Sequence, residues 1–283
     1  MSERTHSREW PLVVFTLALQ LACGLALSAT FLDRVVQNAA AARPIGMAVF
    51  PVVTIGLLAS LLHVGRPLSA WKSLSNIPRS RLSREVLLSS AFAAAALVYS
   101  TVWFVGVRGM RSEVGIITSV LGVVAVLSSA LIYTIPTQPF WNSGWLPASF
   151  FATTILLGGS ASVLSMSRTS GSGTLEVVLA SVLVASAGEL FSATWALKRF
   201  LRLRGTNSDG QGQPGVTMVQ GLCFVFHIVL AAILPAVFAL RLWTAGTAAE
   251  LSSAMPAILV AVLAGTALGR VLMYSLAEPL PRF

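Results

Sequence analysis

The chain alternates between long apolar runs and short polar connections. Eight runs reach the roughly 20 apolar residues that a helix needs to cross a bilayer. We predict transmembrane helices over 10–31, 44–63, 84–107, 113–134, 146–166, 175–198, 216–240 and 252–277. The pattern therefore predicts an all-α polytopic membrane protein, with one integral membrane domain over residues 1–283 and short loops.

Composition narrows the class further. The chain is 55% hydrophobic and 10% charged, whereas soluble domains carry about 25% charged residues. Its net charge of +9 lies in the connections, which fits membrane orientation better than nucleic-acid binding. The first apolar run is long and no small-residue cleavage site closes it, so we expect a retained helix rather than a signal peptide.

Loop charges predict an orientation. With eight antiparallel helices, 12 of the Lys and Arg residues fall on the side that carries both termini and 6 fall on the other. Positively charged loops are retained on the cytoplasmic side. We therefore predict cytoplasmic termini and an inner-membrane location.

A polar segment joins the second and third predicted helices. It starts at His63, passes through Gly65 and Arg66, and reaches Glu85. Ionisable groups at the edge of a bilayer are costly to place. Alone, His63 fits an interfacial, hydrogen-bonded histidine, and Glu85 fits an acid favoured by the helix dipole. Together they can accept and release protons, because histidine titrates near neutral pH, so we predict a proton-accepting pair.

Three further ionisable residues lie inside predicted helices. Glu189 and Arg270 fall in the same half of the bilayer, where they form either a buried ion pair or part of the site. His227 lies mid-helix and is expected to be a hydrogen-bonded core residue. It lies roughly 16 Å deep, whereas His63 lies at the rim, so the two are not expected to hold a haem. No C-x-x-C motif occurs, and we predict no metal site.

These segments resemble the dimethyl sulfoxide reductase anchor subunit (DmsC) family, which is related to the NrfD-type quinone-reactive anchors. The resemblance runs along nearly the whole chain. It is carried by R-E-W-P-L at 8–12, L-H-V-G-x-P-x-x-A at 62–70, L-S-x-E at 82–85, G-E-L at 188–190 and G-R-x-x-x-Y at 269–274.

The resemblance implies an anchor that binds menaquinol or ubiquinol as substrate and contains no haem, iron–sulfur cluster or molybdopterin of its own. It implies a partner iron–sulfur subunit with four clusters and, through it, a molybdopterin subunit that reduces the terminal substrate. His63 and Glu85 match the family's quinol-binding residues, and Gly65 matches a loop glycine. A family arginine falls at Ser69, and this chain has Arg66 instead.

Three alternatives stay open at this point. The same anchor can work in reverse and reduce quinone, as in sulfite dehydrogenase complexes. It can be a passive anchor without a quinone site. A small-solute transporter using Glu189 and Arg270 is the third, although such transporters are built from repeats and the sequence has no clear internal repeat.

Overall fold

A computed structural model of the chain describes residues 10–63, 76–138, 140–166, 175–205, 218–245 and 248–275. Eight helices in these ranges are long and apolar enough to span a membrane, which confirms the prediction of an all-α polytopic protein. They are α1 (Trp10–Arg34), α2 (Ala39–His63), α3 (Arg81–Val105), α4 (Arg111–Ile132), α5 (Trp145–Met166), α6 (Leu175–Gly205), α7 (218–245) and α8 (Ala248–Ser275).

The helices pack as two consecutive rings of four. In the first ring α1 to α4 each contact the next helix, and α4 returns to α1. In the second ring α5 to α8 do the same, and α8 returns to α5. Helices α1 and α5 join the rings and are the most buried of the eight. Each ring therefore has its own interior, in which polar side chains are kept away from lipid.

Glycines make the junction between the rings tight. A Cβ atom on Gly158 of α5 would lie 2.4 Å from the carbonyl oxygen of Gly24 in α1, and a Cβ on Gly24 would lie 2.3 Å from the carbonyl oxygen of Thr154. Both distances are far below van der Waals contact. Small residues of this kind let helix backbones approach closely in lipid, where packing drives association.

Helix α7 is interrupted by a π-helical turn. Its three parts are Met218–Ile228, the π turn Val229–Ile233, and Leu234–Ala245. Single π turns inside α-helices are rare and occur frequently at functional sites. This turn begins two residues after His227.

Several helix ends differ from the prediction because hydropathy does not record capping or helix propensity. Helix α2 begins at Ala39, since Asn38 Oδ1 accepts from the Ala41 backbone N–H at 3.0 Å. Helix α3 begins at Arg81, since the Ser80 side chain accepts from the Ser83 N–H. Helix α6 continues to Gly205 through a basic stretch of good helix formers that the helix dipole favours at its C-terminal end. The other ends move by about five residues or fewer.

Candidate functional site

The first polar site is built around Glu85, in the first turns of α3. Its side chain points into the first ring and is only 7% exposed. It lies beside Ser129 of α4. Within the described part of the chain, Glu85 Oε1 and Ser129 Oγ have no hydrogen-bond partner. Buried polar atoms are nearly always hydrogen-bonded, so this carboxylate can accept a further hydrogen bond, from the neighbouring Ser129 hydroxyl or from a donor that binds beside it.

A pair of tyrosines lies where the two rings meet. The hydroxyl groups of Tyr133, which follows α4, and Tyr274 of α8 are 2.7 Å apart. Trp141 packs edge-on against both aromatic rings and donates from Nε1 to the Met273 carbonyl at 2.9 Å. Both tyrosines lie within electrostatic range of Glu85 and of a buried arginine. They therefore connect the Glu85 site to the interior of the second ring.

The second polar site takes one side chain from each helix of the second ring. These are Thr153 of α5, Glu189 of α6, His227 of α7 and Arg270 of α8, and all four are buried. The Thr153 hydroxyl donates to Glu189 Oε1 and accepts from Arg270 Nη2 at 3.3 Å. Thr153 therefore bridges the carboxylate and the guanidinium.

Arg270 is held in place from several directions. Its guanidinium carbon lies 3.8 Å above the centroid of the Phe150 ring, and Nη1 contacts the Met273 sulfur at 3.8 Å. The side chain is 3% exposed. A buried cation of this kind needs nearby negative charge and hydrogen-bond acceptors, which Glu189 and Thr153 provide.

His227 faces the other oxygen of Glu189. Its Nε2 lies 4.0 Å from Glu189 Oε2, and its Nδ1 lies 2.8 Å from the Gly265 carbonyl oxygen. The imidazole packs closely against α8 at Gly269, where an added Cβ would lie 2.6 Å from the ring. Glycine at position 269 is thus required by the close approach of the histidine ring.

The four side chains border a small cavity of about 30 Å³ between α5, α6, α7 and α8. That volume has room for about two water molecules and is too small for a quinone ring. Phe140 and Trp145 also line it. Among the described residues, no three His, Cys, Asp or Glu side chains form a group that could hold a metal ion.

The structure brings some of the predicted residues together and leaves others undescribed. Glu189 and Arg270 lie in one cluster, joined through Thr153. His63 is the last residue of α2. The His63 side chain, Gly65 and Arg66 lie outside the described part of the structure. The pairing of His63 with Glu85 therefore stays a prediction.

His227 is hydrogen-bonded, as expected for a core residue, but it also faces Glu189, a pairing that was not predicted. A signal for it exists in the sequence, because His227 and Glu189 lie at similar depths in their helices. Thr153, a neutral residue in an apolar run, gives no such signal.

Comparison with known proteins gives consistent matches. The family described as DMSO reductase anchor subunit (DmsC) matches residues 4–276. This protein is 29% identical over 281 residues to the C subunit of anaerobic dimethyl sulfoxide reductase from Escherichia coli, covering 95% of this sequence and 94% of that protein. It is 31% identical over 191 residues to the YnfH subunit of an anaerobic dimethyl sulfoxide reductase from the same species, covering 64% and 66%. The corresponding C subunit from Haemophilus influenzae is 31% identical over 159 residues, covering 53% and 56%.

Proposed function

The chain belongs to the DMSO reductase anchor subunit (DmsC) family, and we propose that it binds a quinol at Glu85 and takes up protons as that quinol is oxidised. As a family member with eight membrane-spanning helices, it is the multi-pass membrane anchor of a DMSO reductase complex. The transporter alternative loses its support, because the family match covers nearly the whole chain.

The observation that carries the proposal is the buried, partly unsatisfied carboxylate of Glu85. A quinol presents two hydroxyl donors on an aromatic ring. A hydroxyl placed between α3 and α4 would donate to Oε1 of Glu85, the atom that has no hydrogen-bond partner among the described residues. Tyr133, next to this position, would provide an aromatic wall. His63, at the end of α2, is proposed to accept from the second hydroxyl.

The chemistry balances when a partner takes the electrons. Oxidation of one quinol breaks two O–H bonds and releases two protons and two electrons. Glu85 and His63 are proposed as the first acceptors of the protons. The electrons pass to an iron–sulfur subunit with four clusters and then to a molybdopterin subunit, which reduces the terminal substrate. Menaquinol is the proposed donor, and electron flow runs from quinol to the reductase.

The proposed setting follows the loop charges. Both termini and the polar rim that contains Glu85 lie on the side richer in Lys and Arg, which we assign to the cytoplasmic face of the inner membrane. Trypsin accessibility of a tag on either terminus, in intact and in inverted membrane vesicles, tests this assignment. Cleavage only in inverted vesicles supports it.

Replacing Glu85 with Gln tests the quinol site. The substitution keeps the shape of the side chain and removes the proton acceptor. Because a positioned general base contributes roughly 10²–10⁴-fold, we expect quinol-dependent reduction of dimethyl sulfoxide to fall by about 100-fold or more. Reduction with a dye that feeds the catalytic subunits directly should stay normal, as should assembly in the membrane.

Glu113→Gln is the matched control. Glu113 lies in the first turn of α4, is exposed, and belongs to the opposite side of the membrane from Glu85. It should leave both activities unchanged. Full quinol-dependent activity in the Glu85→Gln complex would reject the proposed site and would favour a passive anchor.

A further inference from the structure

The hydrogen bonding around His227 determines which of its nitrogens carries a proton. Nδ1 lies 2.8 Å from the Gly265 carbonyl oxygen, and a carbonyl oxygen can only accept. Nδ1 is therefore the N–H donor. In the neutral imidazole Nε2 is then a lone-pair acceptor, and it faces the carboxylate of Glu189.

The facing oxygen is also an acceptor. Glu189 Oε2 lies 4.0 Å from His227 Nε2 and is a buried atom with no hydrogen-bond partner among the described residues. Two acceptors cannot hydrogen-bond to each other, and Oε2 is left unsatisfied, which is costly at low dielectric. One additional proton, on either residue, turns the arrangement into a donor and an acceptor.

We propose that Glu189 and His227 form a one-proton store, which holds a single exchangeable proton between Oε2 and Nε2, through a water of the small cavity. The separation of 4.0 Å is longer than a direct hydrogen bond, and the cavity has room for the bridging water. Nothing in the established role of an anchor subunit requires such a site.

Both states of the store are supported by the surrounding groups. Without the proton, the Glu189 carboxylate keeps the Thr153 hydroxyl from α5 and the positive charge of Arg270 from α8. With the proton, one of the two facing atoms becomes a donor, so Oε2 and Nε2 can be linked through the bridging water. The other polar side chains facing the cavity, which include Ser192 of α6, are neutral. Without the proton the charges of Arg270 and Glu189 balance, and the added proton gives the site one net positive charge.

The local fold fixes the position of the His227 ring beside Glu189. The π turn that begins at Val229 shifts the register of α7 directly after His227. Gly269 leaves the space that the ring occupies, and a Cβ on Gly265 would lie 2.7 Å from the Ala231 backbone nitrogen, within the π turn. A π turn and two close glycines around one ionisable side chain mark a built site, because π turns are uncommon and tend to be functional.

The source of the proton rests on the proposed function. Of the two protons first accepted by Glu85 and His63, one passes on to the store and the other leaves to solvent at the rim, while both electrons leave to the iron–sulfur partner. The hydrogen-bonded Tyr133 and Tyr274 are within electrostatic range of both Glu85 and Arg270, and we assign them to the path of this proton. Proton sharing between Glu189 and His227 does not depend on this source, and the two can be tested apart.

Nitrogen NMR of the full chain in lipid vesicles, with ¹⁵N-labelled histidine, tests the sharing. The His227 signals are identified by their loss in His227→Gln. We expect Nδ1 to be protonated and Nε2 to change with pH in wild type, and the Nε2 change to be lost or displaced in Glu189→Gln. Glu176→Gln, which replaces an exposed glutamate in the first turn of the same helix, is the control and should match wild type.

An unprotonated Nδ1, or identical His227 signals in wild type and Glu189→Gln over the whole pH range, would overturn the store. If Glu189→Gln does not fold, infrared spectra of wild type and His227→Gln can be compared instead, because they detect protonation of the Glu189 carboxyl group. The carboxylic-acid band of Glu189 should then depend on pH in wild type and shift in His227→Gln; an unchanged band would also overturn the proposal.

Infrared difference spectra of the assembled complex, recorded as quinol is added, test the source. A Glu189 carboxyl band that responds to quinol in wild type and not in Glu189→Gln supports uptake of a quinol proton. If the Glu189 and His227 signals depend on pH but the Glu189 band does not respond to quinol, the proposed transfer of a quinol proton is overturned. The sharing of a proton between Glu189 and His227 then still stands. Failure of the proposed quinol site at Glu85 would show separately, because quinol turnover would then stay normal in Glu85→Gln.

Discussion

Replacing Arg270 with Met removes the positive charge from the second polar site while keeping a long side chain in its place. Arg270 is 3% exposed, and the nearby Glu189 is 1% exposed. Bulk solvent therefore cannot compensate for the lost charge. The methionine can still lie over the Phe150 ring, where sulfur makes favourable contacts, so the substitution tests the charge more than the packing.

The expected cost comes from the carboxylate that is left behind. Removing one partner of a buried ion pair destabilises proteins by about 3–5 kcal/mol. The lower end applies here, because the Thr153 hydroxyl still donates to Glu189 and the carboxylate can take up the proton shared with His227. We expect a loss of about 3 kcal/mol in the free energy of unfolding, which lowers the unfolding midpoint by on the order of 10 °C at roughly 2–4 °C per kcal/mol.

Heating the detergent-solubilised chain and measuring the folded fraction by size-exclusion chromatography gives the midpoint. The double variant Arg270→Met with Glu189→Gln removes both charges, and we expect it to recover about half of the loss or more. Arg241→Met, at an exposed arginine of α7, should change stability by less than about 0.5 kcal/mol. A double variant no more stable than Arg270→Met alone would refute the charge coupling between α6 and α8.

Three further changes test packing, two by the unfolding midpoint and one by NMR. Gly158→Ala should destabilise by about 1–3 kcal/mol, because its Cβ would lie 2.4 Å from the Gly24 carbonyl oxygen, whereas Gly109→Ala, with nothing within 4 Å of the added atom, should be nearly neutral. Gly269→Ala should displace the His227 ring and change its NMR signals while the chain stays folded; unchanged signals would contradict the close contact. Tyr274→Phe should cost about 1–3 kcal/mol, because it leaves the Tyr133 hydroxyl without its partner, and the double change of both tyrosines to Phe should recover part of the loss.

The number and type of helices could be predicted because lipid imposes one dominant requirement. A segment that crosses the hydrocarbon must satisfy its own backbone and expose apolar side chains, so length and apolarity are enough to find it. The ends are set by other interactions. Asn38 and Ser80 cap α2 and α3, and these contacts add residues that a hydropathy pattern does not count.

The arrangement of the helices into two rings was not predictable from the same pattern. Every helix is apolar around most of its circumference, so the pattern does not say which face meets which neighbour. The contact between Gly24 and Gly158 decides how α1 and α5 meet, and small residues are too frequent in this chain to identify that pair in advance. Partner choice depends on shape, which a single sequence does not display.

The second polar site was predicted in part. Glu189 and Arg270 stand out in the sequence because charged residues inside a membrane are rare and usually paired. The sequence prediction treats His227 as a core residue and compares its depth only with that of His63, whereas a comparison of depths among all ionisable residues groups it with Glu189. Thr153 could not be found in this way, because a threonine in a transmembrane helix can bond to its own backbone and so needs no polar partner.

The two polar sites answer different physical requirements. Glu85 lies in the first turns of α3, at the rim, whereas Glu189 lies about 20 Å along α6 from its first residue. Electrons must leave for a partner outside the membrane, so a quinol has to react near the rim. In the interior neighbouring charges act at lower dielectric, so the protonation of Glu189 and His227 responds more strongly to Arg270 than to solvent. Quinol affinity should therefore follow changes at Glu85, and the proton response should follow changes at Glu189. Arg270→Met, which disturbs only the interior site, should leave quinol affinity unchanged; an affinity loss as large as that of Glu85→Gln would mean that the two sites act as one.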